Sequence, residues 1–128
     1  LISKFNLQNT VYLTGFLANA EQFLPAFDLF VLPSRKEGLP YTILEAKINK
    51  IPIIAANVGS ISDLIEDKKT GLLIHPENEE ELSEAILYAF THQEEMKKMA
   101  EIGRNNLSEY SKENTVKKTI SLYQELFQ

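Results

Sequence analysis

The sequence predicts an α/β fold, a doubly wound parallel sheet followed by C-terminal helices. Three observations carry this. Strand-like and helix-like segments alternate through the first part of the chain, four short apolar runs have the composition of strands, and everything after Asn78 has helical spacing. Strands that alternate with helices pair in parallel through crossovers, which lay helices on both faces of the sheet. Ligands of such sheets sit beyond the carboxyl ends of the strands, so the loops leaving those ends are where function is sought.

The elements follow in order. The chain opens on Leu1 in a segment that reads as the interior of a helix, as expected of a piece of something longer. "TVYLTG" is a short β-prone run ending at Gly15, and "AEQFLPAF" has helical spacing that Pro25 is expected to shorten or bend. "DLFVLP" is a continuous apolar run closed by Pro33, the pattern of a strand buried on both faces. "IPIIAA" is another, ended by "NVGS"; "SISDLIED" reads as a short helix, "KKTG" as a turn and "GLLIHP" as the fourth strand. Next, "ENEEELSEAILYAF" offers Asn78 as N-cap and an acidic first turn, with Leu82, Ala85, Ile86 and Ala89 at core spacing. "QEEMKKMAEIGRNNL" and "SKENTVKKTISLYQELF" are two more amphipathic helices, the second capped by Ser111.

Composition removes several classes of function. At 128 residues the chain is one compact domain with room for its own core, and 44% apolar with 24% charged residues is ordinary for a globular protein. A net charge of −5 argues against nucleic acid as a partner, which needs a basic face. The acidic excess lies in the second half: residues 1–60 carry five basic and four acidic groups, residues 61–128 eight and fourteen. A phosphate-bearing ligand would therefore not be repelled by the first half. There is no cysteine, hence no disulfide, thiol nucleophile or cysteine-based metal site, and His75 and His92 have no metal-ligand spacing. No apolar run approaches a membrane span and no signal peptide opens the chain, so a cytoplasmic setting is the default expectation.

The stretch "SRKEGLPYTILEA" concentrates the chemistry, with Glu37 and Glu45 eight positions apart across a glycine and a proline. Proline is favoured as the first helical residue, so Pro40 is expected to start a helix running to about Asn49. Pro40 has no amide proton, but those of Leu39, Tyr41 and Thr42 would lack intrahelical partners. Free amides at the positive end of a helix dipole form an anion site suited to phosphate, and Gly38 lets a ligand approach the backbone closely.

At about 100° per residue, Glu45 shares an arc with Tyr41, Thr42 and Asn49, while Lys47 and Lys50 fall on the opposite arc, taken as the solvent side. Glu45 then emerges one turn in, poorly placed for phosphate and well placed to accept hydrogen bonds from vicinal hydroxyls such as those of a ribose. Glu37, in the loop before the helix, can reach the other end of the same ligand. The two carboxylates would bracket a diphosphate, one on a ribose and one on a second polyhydroxylated group. The residues alone also allow, and on physics alone favour, a plainer reading, since the dipole favours glutamate early in helices and loop glutamates are commonly solvated. Glycoside hydrolysis also uses two carboxylates, but facing each other across the scissile bond, not flanking a helix start. Gly59 and Ser60 begin a helix on the same edge and fit either a place near the ligand or an ordinary turn. Arg35, Lys36 and His75 are read as solvated or structural.

"VYLTGF", "FDLFVLPSRKEGLPYTILEA", "IPIIAANVGSISDLI" and "TGLLIHPENEEELSEAI" resemble consecutive blocks of the C-terminal domain of retaining GT-B glycosyltransferases, the large group-1, family-four class. The similarity runs from about Val11 to Phe90. It implies that residues 1–128 form a single nucleotide-sugar-binding domain, a Rossmann-like half of a GT-B fold within a two-domain protein. The resemblance assigns Glu45 to the ribose hydroxyls and Glu37, as the catalytic residue, to the donor sugar, with the backbone of Gly38, Leu39, Pro40, Tyr41 and Thr42 on sugar and diphosphate. It implies transfer of a hexose-type sugar with retention, no metal and no cofactor beyond the nucleotide-diphosphate sugar, which is the donor substrate. An acceptor glycan or lipid-linked sugar would be bound by an N-terminal domain. Polysaccharide assembly at the inner face of the membrane, with peripheral attachment of the full-length protein, is the setting that the family suggests.

Three departures from the family pattern are visible. The basic pair used on the diphosphate would precede Leu1, so the 128 residues alone are expected to be inactive. Lys50 stands where the family usually has glycine, and Asp63 where it usually has glutamate. A non-catalytic GT-B relative serving as a binding or chaperone subunit is the alternative. A phosphate-binding receiver module would need an acidic cluster at the strand ends, and none is visible.

Overall fold

A computed structural model describes residues 1–127 of the chain. One sheet is formed by β1 (Phe30–Leu32), β2 (Ile53–Ala56) and β3 (Leu72–Ile74), in the order β1-β2-β3, both pairs parallel. Val31 lies opposite Ile54, and Ala55 opposite Leu73. The crossovers contain α1 (Tyr41–Ile48) and α2 (Ile61–Leu64); α3 (Glu79–Thr91), α4 (Gln93–Asn105) and α5 (Lys112–Leu126) follow the sheet. Short 3-10 helices occupy Ala20–Ala26, with Pro25 inside, and Asn106–Tyr110.

All four residues of β2 are buried, because alternate side chains point to opposite faces and both faces are covered. Ile53 and Ala55 join Ile43, Ala46, Ile61 and Leu64 of α1 and α2 in one core cluster. Ile54 and Ala56 join Leu72, Ile74, Ala89, Met96 and Met99 in the other, beneath α3 and α4. This is the expected α/β class, a parallel sheet with helices on both faces and more helices at the C-terminal end. Leu82, Ala85 and Ile86 pack on the second cluster as their spacing predicts. The caps are also where the sequence puts them: Asn78 accepts the Glu81 amide at 3.1 Å, and Ser111 accepts that of Asn114 at 3.2 Å.

The structure corrects three expectations. "TVYLTG", expected as the first strand, is not one: Val11, Tyr12 and Leu13 are exposed and outside any ladder, and the Tyr12 hydroxyl turns back to the Asn9 carbonyl. β-prone composition only makes a segment able to pair, and among the described residues no strand lies against this one. Likewise β1 is half-buried, not buried on both faces, because it is an edge strand paired only with β2 among the described residues. The opening residues form turns, with Phe5 N–H on the Leu1 carbonyl and Leu7 N–H on that of Ile2, not the interior of a helix. Among the described residues, no helix is long and apolar enough to cross a membrane.

Candidate functional site

Two loops leave the carboxyl ends of neighbouring parallel strands, Pro33–Pro40 after β1 and Asn57–Ser60 after β2. Pro40 is buried and takes the cap position of α1, with φ −75° and ψ 101°, one residue earlier than its expected role as first helical residue. The ring's fixed φ suits either position; the extended ψ turns the chain into the helix axis. The Pro40 carbonyl accepts the Ile43 amide at 3.1 Å, and among the described residues no side chain caps the helix. The amides of Tyr41 and Thr42 thus stand at an uncapped, positively polarised helix start. Leu39 and Tyr41 flank it as exposed side chains.

Glu37 is half-buried in the first loop, where the Ser34 hydroxyl donates to its Oε1 at 2.6 Å. Gly38 follows in open space: a Cβ placed there would meet no atom within 4 Å. Gly59 is the opposite case. It has φ +56°, and a Cβ on it would overlap the Glu37 carbonyl oxygen, with the carbonyl carbon 3.0 Å away. Next to it the Ser60 hydroxyl donates to the Gly38 carbonyl. The two loops are therefore latched by a side-chain hydroxyl on a backbone carbonyl, beside a close approach of Gly59 to the Glu37 carbonyl. Composition marks Gly59 and Ser60 as turn residues, but only the packing of two strand ends side by side reveals the latch.

On α1, Glu45 is half-buried on the open arc with Tyr41 and Thr42, and its carboxylate makes no hydrogen bond or ion pair among the described residues. Lys47 corrects the helical-wheel reading. Only 2% exposed, it faces the core, donates from Nζ to the Leu64 carbonyl at the end of α2, and runs beside Gly103 of α4. Burial lowers its pKa from the ordinary lysine value. A wheel gives relative angles; which arc is buried depends on what packs there, and α1 is covered by both the sheet and α4. Ile48, by contrast, is exposed.

Elsewhere on this edge Arg35 pairs with Glu77, which follows β3, at 2.9 Å, both exposed. His75 ends β3 by donating its backbone amide to Glu81 at 2.6 Å, with its Nδ1 2.8 Å from the same carboxylate. Both contacts lower the Glu81 pKa, the backbone bond most. A cleft bounded by Pro33, Arg35, Ile74, His75 and Asn78 opens beyond the strand ends. Another, among Phe27, Lys50, Pro52 and Phe90, lies at the amino edge, away from both loops. Among the described residues, no group of three or more His, Asp or Glu side chains is gathered to hold a metal.

The fold places this chain with the GT-B glycosyltransferases, to which its structural neighbours belong. The chain belongs to the family described as glycosyl transferases group 1, whose sequence profile matches residues 1–106. It is 31% identical over 125 residues to poly(ribitol-phosphate) alpha-N-acetylglucosaminyltransferase of Staphylococcus aureus, covering 96% of this chain and 25% of that protein. A glycosyltransferase from Rickettsia africae superposes with a TM-score of 0.89 at 26% identity, over 99% of this chain and 35% of that one. Anabaena HepE, solved in complex with UDP-glucose, superposes with a TM-score of 0.85 at 26% identity, over 97% and 34%. The chain thus spans a quarter to about a third of the length of these relatives.

Proposed function

We propose that this chain is the donor-binding domain of a retaining glycosyltransferase that moves a sugar from a nucleoside diphosphate to a carbohydrate or lipid-linked acceptor. The observation that carries the reading is the uncapped start of α1, preceded by Gly38 in open space. Neither packing nor a positive φ demands a glycine there, whereas a ligand drawn against the backbone would. Glu45, half-buried and without a partner for its carboxylate among the described residues, accepts from the ribose hydroxyls. Glu37, steadied by Ser34, accepts from hydroxyls of the donor sugar. The backbone from Gly38 to Thr42 faces sugar and diphosphate. In the reaction the anomeric C–O bond to the diphosphate breaks, the electron pair leaves with the phosphate oxygen, and the acceptor hydroxyl oxygen bonds on the same face as its proton passes to the departing diphosphate oxygen. Amides already aimed at the diphosphate take up its growing charge without reorganising. HepE, solved with UDP-glucose, and the S. aureus N-acetylglucosaminyltransferase support the substrate class.

The two glutamates separate in the test. In the whole protein, Glu45→Ala is expected to weaken binding of the bare nucleoside diphosphate and of the sugar nucleotide alike. Losing hydrogen bonds to a charged acceptor costs about 1.5–3 kcal/mol, or roughly ten- to a hundredfold in affinity. Glu37→Ala is expected to leave nucleoside diphosphate binding nearly intact while depressing transfer, because its contact matters as the sugar moves toward the transition state. Calorimetry on both variants decides; abolition of that binding by Glu37→Ala alone reverses the roles.

A further inference from the structure

We propose that Ser60 and Gly59 are positioning residues that aim the backbone amides of Leu39 and Gly38 at the donor. The inference rests on the donor-binding reading above and assigns part of its geometry to the second loop. A trans peptide is planar, so its N–H points opposite to its C=O. The Gly38 carbonyl is pinned by the Ser60 hydroxyl, which turns the Leu39 amide away from the second loop. The Glu37 carbonyl points at Gly59, since its oxygen, not its carbon or Cα, is the atom nearest to where a Cβ would stand. The Gly38 amide is thereby turned the same way. Two successive amides then face outward, on the side where Gly38 leaves the backbone open.

The loop that does this aiming is itself anchored. Directly after Ser60, α2 is tied at its far end by Lys47 Nζ on the Leu64 carbonyl and by the Tyr110 hydroxyl on the Asp63 carbonyl at 2.7 Å. Ile61 and Leu64 are buried in the core cluster of α1. The segment Gly59–Leu64 is thus a splint along the motif, joined to α1 through Lys47 and to the loop ahead of α1 through Ser60. Among the described residues the Ser60 side chain makes no cap bond to its own helix, so its hydroxyl serves the neighbouring loop.

The test uses Ser60→Ala and Ser60→Thr in the whole protein, probed with uridine, adenosine and guanosine diphosphates and by amide NMR without ligand. Ser60→Ala is expected to bind the preferred diphosphate about tenfold more weakly, while Ser60→Thr, which keeps the hydroxyl, stays within about twofold of the parent. The Gly38 and Leu39 amide signals are expected to move in the alanine variant and return in the threonine variant. Unchanged affinity in Ser60→Ala, equal loss in Ser60→Thr, or unmoved amide signals would each overturn the proposal. If the parent protein binds none of the three diphosphates, the donor-binding reading falls, and the amide signals still decide whether Ser60 sets their orientation.

Discussion

Replacing Lys50 by glycine is expected to stabilise the protein, and the end of α1 says by how much. Asn49 caps the helix, the Lys50 amide bonds the Lys47 carbonyl at 3.1 Å, and the Ile51 amide bonds that of Ala46 at 3.0 Å. These are the two bonds of a Schellman motif, which requires a left-handed residue at position 50, and Lys50 has φ +55°. A side chain in that conformation costs roughly 1–2 kcal/mol, which glycine avoids. Against this, glycine loosens the unfolded chain by about 0.4–1 kcal/mol, and an exposed charge near the helix C-terminus is lost, worth about 0.3 kcal/mol. Lys50 makes no ion pair among the described residues, so nothing further is forfeited. The balance centres on a gain of about 0.5 kcal/mol, or roughly 2 °C in melting temperature for a domain of this size. Denaturant and thermal midpoints of Lys50→Gly and Lys50→Ala measure it. Alanine keeps the strain and is expected to leave the midpoint nearly unchanged. A lower midpoint for Lys50→Gly, or equal gains for both variants, would refute the assignment of the strain to the backbone.

Two further outcomes concern packing and pH. Gly59→Ala and Gly15→Ala both place a side chain at positive φ, but Gly15 has open space and Gly59 the Glu37 carbonyl. Gly59→Ala is expected to cost about 1–3 kcal/mol more, the overpacking penalty, and equal losses in urea titrations would mean that the two loops are not in contact. Because Glu81 has a lowered folded-state pKa, its contribution to stability is present above the ordinary glutamate range and is lost as pH falls through the folded value. Unfolding midpoints followed from about pH 6 to about pH 3 are expected to fall less steeply for Glu81→Gln than for the parent; parallel profiles would show that the His75 contact is not made in solution.

Local chemistry wrote several features directly into the sequence. Asn78 and Ser111 cap their helices because a side-chain oxygen and a free amide meet within one turn, and Pro40 marks the start of α1 because its ring sets φ. The apolar runs at 30–32, 53–56 and 72–74 are strands, with crossovers between them, and this placed Glu37 and Glu45 on the edge where such sheets bind ligands. What depends on neighbours was decided by the tertiary structure alone. "TVYLTG" has strand composition, yet a strand exists only where another lies beside it. Lys47 is charged, yet it faces the core because α4 and the end of α2 cover its arc and supply a carbonyl. Gly59 and Ser60 are twenty-two positions from Glu37 and Gly38, and no local pattern links them. They meet because β1 and β2 are adjacent parallel strands whose carboxyl ends deliver both loops to the same edge.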